Sequence, residues 1–310
     1  MTRDVRTVVI CGATGYIGQY LARAYRDRGI DVRSVGRGAV NDASWSDRDR
    51  LTRVLDGADM VINLAGRSVS CRYTKSTADV IFSSRVETTA ALGQALSRVD
   101  RAPDVWFNAS TGTIYRDARD RPMTERDGDV GTGFSVEVAR AWERELFDAP
   151  TGVRKIALRM AIVLGAGGGA VNPLIDLARL GLGGRMGDGT QMFSWIHVAD
   201  VLRSIDHLYA REDIAGPVNL ATPFAVDNAT MMREVRRHLG RSRGVATPAW
   251  LLHAGAAVIR TEPELVLKSR WVDPEVLRRS DFEFEYPRLG PALEQIARHT
   301  SRGLLPVALG

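Results

Sequence analysis

The segment Val8-Val9-Ile10-Cys11-Gly12-Ala13-Thr14-Gly15-Tyr16-Ile17-Gly18 constrains the fold more than any other part of the chain. An apolar run passes directly into a turn with glycine at every third position, and Gln19 to Arg28 continues as an amphipathic stretch. The pattern predicts a buried strand, a tight loop and the start of a helix. Glycine lets a backbone approach a pyrophosphate closely, and the unpaired N–H groups and dipole of a helix start favour an anion. A strand before and a helix after is the context a dinucleotide-binding turn requires. The spacing is G-x-x-G-x-x-G rather than the G-x-G-x-x-G of many dehydrogenases, and a plain βα turn with helix-packing glycines has the same outline.

The chain beyond the turn keeps the alternation going. Asp31 to Val35 reads as a second strand after Gly29, Asp47 to Leu55 as a helix and Asp59 to Leu64 as a strand ending in Asn63-Leu64-Ala65-Gly66. A polar segment leads to a long helix from Ser76 to Arg98, then a strand at Val105 to Ala109 followed by Ser110-Thr111-Gly112-Thr113-Ile114-Tyr115. Residues 116–132 read as loop, Phe134 to Phe147 as a helix and Lys155 to Leu164 as one strand. Strand and helix in alternation imply an α/β fold, a Rossmann-type doubly wound parallel sheet with right-handed crossovers. Two glycine clusters, 165–169 and 181–184, then flank a short helix from Pro173 to Leu180, and read as turns and close packing. Met192 to Ile196 reads as a strand, His197 to Tyr209 as a helix returning to the main domain, and prolines punctuate the remainder. The expected division is a Rossmann domain over 1–165, rejoined by 193–221, and a small C-terminal α/β lobe built from 166–192 and 222–310.

Composition narrows the function. At 310 residues the chain suffices for one large α/β domain with a smaller lobe. The formal charge is +5, almost all from arginines interspersed with acids, as in Arg116-Asp117-Ala118-Arg119-Asp120. With no basic run and no interleaved aromatics this describes a solvated surface and not a nucleic-acid face. No stretch of about 18 apolar residues suggests a membrane span, and the N-terminus enters a strand with no signal-peptide pattern. Two cysteines, Cys11 and Cys71, exclude a disulfide framework and fit a cytoplasmic location. The histidines show no metal spacing. The expected partner is a small-molecule substrate, with neither nucleic acid nor membrane; a homodimer stays open.

The Gly12/Gly15/Gly18 turn, Asn63 to Gly66, Ser110 to Tyr115, Leu158-Arg159 and Trp195-Ile196-His197-Val198-Ala199-Asp200 together resemble the extended short-chain dehydrogenase/reductase superfamily. The block Asn63 to Tyr73, Gly133-Phe134-Ser135-Val136 with Trp142-Glu143, Leu180 to Gly184 and the tail from Arg270-Trp271-Val272-Asp273-Pro274 resemble more narrowly its atypical branch of epimerase family proteins. That branch, also named NAD-dependent epimerase/dehydratase, carries an extra C-terminal domain. The resemblance spans nearly the whole chain. The superfamily's chemistry rests on a Ser/Thr with a Tyr and a Lys at Y-x-x-x-K on one helix, where lysine lowers the tyrosine pKa. That pair is absent here: Cys71, Thr151 and Glu264 stand four residues before Lys75, Lys155 and Lys268, the only lysines. Ser135 and Ala139 occupy the apparent positions of the pair, Arg85 stands where the resemblance implies asparagine, and Thr111 matches the usual Ser/Thr.

These readings define the candidate site. Cofactor-binding candidates are Gly12, Thr14, Gly15, Tyr16, Ile17, Gly18, Leu64, Ala65, Gly66 and Arg37. An acid just past the second strand would bind the ribose of NAD; with Arg37 there instead, the expected cofactor is NADP(H). Catalytic candidates are Thr111, Tyr115, Ser135 and His197, each with a structural alternative: strand-end capping for Thr111, a packed role for Tyr115, a helix cap or loop brace for His197. Cys71, Arg72 and Arg85 are candidates for holding substrate. The expectation is an NADP(H)-binding oxidoreductase for a small carbonyl or hydroxyl compound, working without the Tyr–Lys relay. A non-redox cyclase, isomerase or epimerase on the same fold, and a non-catalytic NADP(H)-binding regulator, remain alternatives.

Overall fold

A computed structural model describes residues 4–69, 71, 73–168, 171–179, 181–250, 252 and 267–299. Strands β1 (Thr7–Cys11), β2 (Asp31–Gly36), β3 (Ala43–Ser44), β4 (Met60–Asn63), β5 (Val105–Thr111), β6 (Arg154–Met160) and β10 (Gly216–Leu220) form one sheet. Its order is β10-β6-β5-β4-β1-β2-β3, every pairing parallel. Strand order therefore reverses between β1 and β4. In an open parallel sheet the crevice beyond the carboxyl ends of strands at such a reversal is where ligands bind, and both the glycine turn and Asn63 to Gly66 leave the sheet there.

The alternation of side chains along β1 explains the two layers. Val8 and Ile10 face one side, with Leu21 and Tyr25 of α1 (Tyr16–Asp27) and Val201, Ile205 and Leu208 of α6 (Val198–Ala210). Val9 and Cys11 face the other, with Leu51 and Leu55 of α2 (Arg48–Leu55), Leu92 and Leu96 of α3 (Lys75–Leu96) and Leu146 of α4 (Phe134–Asp148). Asp47 caps α2 through Arg50 N, and Thr74 caps α3 in a reciprocal pair with Thr77. A third core joins α5 (Val171–Arg179), α7 (Asn228–His238) and α9 (Leu289–His299), where Ile175, Met231, Val235, Leu293 and Ile296 meet Leu164 and Trp195. The short helix α8 (Glu275–Arg279) instead gives Leu277 to the core of the main sheet.

Three local expectations change. The run Lys155 to Leu164 is two strands: after β6 the chain leaves the main sheet at Ala161, and β7 (Ile162–Leu164) pairs with β9 (Trp195–His197). Met192 to Ile196 likewise divides at Ser194, because β8 (Met192–Phe193) pairs with β11 (Val226–Asp227) and β9 with β7. Backbone partners force both breaks: Ala161 N donates to Leu220 O, Ile162 N to Ser194 O and Ser194 N to Arg270 O. The strand at Gly216–Leu220 was not anticipated. It lies at the sheet edge, where Pro217 costs little. The 116–132 segment is loop as expected, pinned by Arg116, which binds both Asp120 and Asp129.

Candidate cofactor and substrate site

The three glycines of the turn do different work. Gly12 has φ +79°, and a Cβ there would stand 2.9 Å from the Leu64 carbonyl oxygen. Its N–H donates to Val35 O, binding the turn to β2. A Cβ on Gly18 would collide with the Gly12 carbonyl, so Gly18 lets α1 pack on its own turn. Gly15 is the N-cap, exposed, with an ordinary extended conformation (φ −76°, ψ 165°). A Cβ there would meet nothing in the chain closer than 3.4 Å, so it would point at whatever approaches the helix start. The first backbone bond of α1 runs from Gln19 N to Gly15 O. Gly15 N donates to Gly12 O, but the N–H groups of Tyr16, Ile17 and Gly18 have no carbonyl or side-chain partner among the described residues, and no acid sits in the first turn.

The rest of the turn is held from both sides. Thr14 is exposed and its carbonyl accepts from Gln19 Nε2; Ile17 packs against the main core. The Tyr16 ring fills the space left by Gly165 and Gly168, where either Cβ would collide with it. Its hydroxyl is buried without a hydrogen-bond partner among the described residues, and burial pushes the phenol up to about 12. Gly165 and Gly168 thus serve close packing against the turn itself. Across the crevice, Asn63 accepts from Ala65 N through Oδ1 and donates to Asn108 Oδ1 at 2.7 Å, fixing the Leu64-Ala65-Gly66 exit. Arg37 follows the end of β2, exposed and with no hydrogen bond or ion pair among the described residues. The nearby Asp42 carboxylate is occupied by Ser34, accepting from both its N–H and its hydroxyl.

Of the catalytic candidates, Thr111 lies at the carboxyl end of β5 and Ser135 in the first turn of α4, while Tyr115 and His197 are buried. Thr111 ends β5 half-buried; its Oγ1 accepts from Thr113 N, capping the single 3-10 turn Gly112–Ile114. Ser135 lies in the first turn of α4, beside Phe134, whose ring meets that of Tyr73 at 5.1 Å. Ala139 is buried among Ile114, Tyr115 and Met123, so the position a lysine would occupy is closed by packing. Tyr115 is 2% exposed. Its hydroxyl donates to Asn219 Oδ1 (2.8 Å) and accepts from Arg159 Nη1 (2.9 Å). Arg159 in turn binds Glu143 through two N–H groups at 2.8 and 2.7 Å, and Ser110 donates to the same carboxylate. Burial raises the Tyr115 pKa despite the charge of Arg159. The expected phenol near the cofactor is thus a member of a closed buried network.

His197 is a helix cap. Its Nδ1 accepts from Ala199 N, Nε2 donates to Gln295 Oε1 and the ring lies 4.1 Å from that of Tyr286. Burial lowers its pKa, so the neutral imidazole is the folded form. Burial shifts His207 the same way, helped by Arg211. An unfolded histidine titrates near about 6.5. Below that pH the unfolded chain binds more protons than the folded one, so the stability these rings contribute is present above it and is lost as pH falls towards their folded values. Thermal unfolding at constant ionic strength should therefore show a drop between pH 7.5 and 5.5, and His197→Asn, which replaces the capping nitrogen by a capping oxygen, should shrink it. An unchanged drop would remove His197 from the account.

Cys71 is half-buried with Sγ 3.7 Å from the Ser68 carbonyl oxygen, and Arg72 lies outside the described residues. Arg85 lies beside Gly66, where a Cβ would stand 3.1 Å from its Cζ, and over the Trp142 ring at 5.0 Å. Trp142 donates through Nε1 to Thr89, which also accepts from Asn63. Sequence reading did not anticipate this link from strand exit to guanidinium, nor the roles of Asn219 and Asn108. The signal was the pairing of Trp142 with Glu143 in one helix, which carries no distance information by itself.

Residues 8–221 match the model of the NAD dependent epimerase/dehydratase family, and residues 247–296 that of a domain of unknown function, DUF1731. The epimerase family protein SSP1921 of Staphylococcus saprophyticus is 31% identical over 297 residues, covering 93% of this chain and 98% of that one. The crystal structure of human epimerase family protein SDR39U1 (isoform 2) with NADPH is similar at a TM-score of 0.85 and 28% identity, covering 94% of this chain and 99% of that one. A nucleoside-diphosphate sugar epimerase from Corynebacterium glutamicum is similar at a TM-score of 0.74 and 28% identity, with this chain covering 58% of its length.

Proposed function

Because the chain belongs to the NAD dependent epimerase/dehydratase family, we propose that it binds NADPH in the crevice between the ends of β1 and β4 and acts as an oxidoreductase on a small carbonyl or hydroxyl compound. The open start of α1 carries this reading. Its unpaired N–H groups lie behind a glycine whose Cβ would block their approach, which fits a pyrophosphate. Arg37 would take the 2′-phosphate, and the Leu64 to Gly66 backbone would flank the nucleotide. The human relative crystallised with NADPH supports the choice of cofactor. When bound, the nicotinamide supplies a hydride donor or acceptor. The chain's own part is to exclude water and orient the substrate oxygen, which we assign to the Thr111 and Ser135 hydroxyls. Solvent delivers the proton, because the Tyr115 phenol is engaged by Arg159 and Asn219. Tyr115 and His197 are supports for the site. Two unpaired cysteines, and no described helix long and apolar enough to cross a membrane, fit a cytoplasmic assignment.

A second reading, a regulator that holds NADPH without turning it over, has one observation in its favour: the place of the missing lysine is filled by packing around Ala139. Two measurements separate the possibilities. NADPH at 100 times its Kd should stabilise the protein by about 2.7 kcal/mol, and NADH should do much less at the same concentration. Gly15→Ala should leave unliganded stability unchanged and weaken NADPH by about tenfold or more, a loss near 1.4 kcal/mol. No stabilisation by either nucleotide would sink cofactor binding. Binding without oxidation of NADPH across a panel of aldehydes and ketones would favour the regulator.

A further inference from the structure

Several half-buried or buried arginines of this chain bind carboxylates. Arg116, Arg159, Arg211 and Arg278 each grip one through two N–H groups. Arg85 does not. It is half-buried, its Nη1 donates to Ile81 O at 3.0 Å, and its other N–H groups have no partner among the described residues. The group is nevertheless held firmly. The aliphatic stem rises from α3, the guanidinium covers the indole of Trp142, and Gly66 provides the space for it. Trp142 is itself fixed by Thr89, and Thr89 by Asn63. A guanidinium has five donors in a planar fork suited to two-point binding of an oxyanion. Removing such a cation from water without a counter-charge is unfavourable. Here burial pushes its pKa down to about 10, which leaves it charged at neutral pH.

We propose that Arg85 is the anchor for a carboxylate on the substrate, making this a site for small oxo or hydroxy acids. The proposal rests on the reading that the cofactor lies across Gly12 to Gly66. The location supports substrate over cofactor as the source of the anion. The phosphate-binding turn meets the second strand exit at Leu64, through Gly12. Arg85 meets that exit two residues further on, against α4, on the side where the Tyr73 and Phe134 rings join edge to face. An acid seated on the fork would have one apolar flank of aromatic rings and the Ser135 end of α4 beside it.

The test compares 2-oxo acids, from pyruvate to phenylpyruvate, with their methyl esters as ligands of the full-length protein. Thermal shifts are titrated with saturating NADPH and again without it. The acids should bind at least about tenfold more tightly than the esters, the equivalent of one charge-assisted contact. Arg85→Gln should abolish that preference while NADPH affinity changes less than about threefold, and Arg85→Lys should retain part of it, since it keeps the charge and loses the fork. Equal binding of acids and esters by the unsubstituted protein overturns the proposal whatever the variants do. Loss of NADPH affinity in Arg85→Gln with the acid preference intact also overturns it, and assigns the guanidinium to a cofactor phosphate. Failure of the unsubstituted protein to bind NADPH strikes the proposed function instead, and the acid–ester comparison without nucleotide then decides Arg85 alone.

Discussion

Glu143→Ala is expected to lower the free energy of unfolding by about 3–5 kcal/mol, the cost of breaking a buried ion pair from one side. The side chains of Arg159 and Glu143 are 11% and 9% exposed, so solvent replaces little of what is lost. Among the described residues the substitution leaves the charged Arg159 guanidinium the Tyr115 hydroxyl as its one hydrogen-bond partner, and strips Ser110 of its acceptor. Burial works against the charge of Arg159; the hydrogen bonds and charge of Glu143 outweigh it and hold the guanidinium above its usual pKa. That balance disappears with the carboxylate. Glu143→Ala combined with Arg159→Leu should cost clearly less than the sum of the two single changes, because the double variant buries no unpaired charge. Urea unfolding of the four proteins measures this. Additive losses would mean that the two groups are not coupled. Tyr115→Phe, in the same series, should reduce stability by about 1–3 kcal/mol through unpaired Asn219 and Arg159 and leave NADPH affinity as it was.

The same network shows what a sequence can and cannot convey. Periodicity in β1, α1, α2 and α4 is strong because each presents one apolar face or alternates between two cores, and those elements lie where the pattern puts them. It failed at Ala161 and Ser194 for a common reason. Both lie within apolar runs, and the chain changes sheets there through backbone hydrogen bonds that hydropathy does not encode. Gly216–Leu220 escaped because it is a short edge strand containing proline. Chemistry followed the same rule. The lack of a Y-x-x-x-K lysine is a matter of spacing and needs only the sequence. That Tyr115 faces Asn219 rather than the crevice depends on a partner 104 residues away. In the sequence Arg85 is one substrate-holding candidate beside Cys71 and Arg72. Only the fold separates it, by giving it Trp142 as a platform and no carboxylate.

Arg37→Ala should weaken NADPH by about 10- to 100-fold, the loss of one to two charge-assisted hydrogen bonds to phosphate, and should change NADH affinity little. Arg37 is exposed and makes no hydrogen bond or ion pair among the described residues, so unfolding without ligand should be unaltered by its removal. The loop that carries it is set independently of its side chain: Asp42 binds Ser34 and Asn41 binds the Gly38 carbonyl. The contrast between nucleotides therefore isolates the 2′-phosphate, the one feature that distinguishes them. Arg37→Asp extends the test, since a carboxylate at this position can accept from the ribose hydroxyl of NADH and repel the phosphate of NADPH. Its preference should invert. Because each ion pair with phosphate is screened by salt, the NADPH advantage of the unsubstituted protein should also shrink between low and high ionic strength, and that of Arg37→Ala should not. Fluorescence titration with both nucleotides at two salt concentrations reads all of these. Equal losses for NADPH and NADH would place the 2′-phosphate elsewhere in the crevice and leave Arg37 a surface arginine.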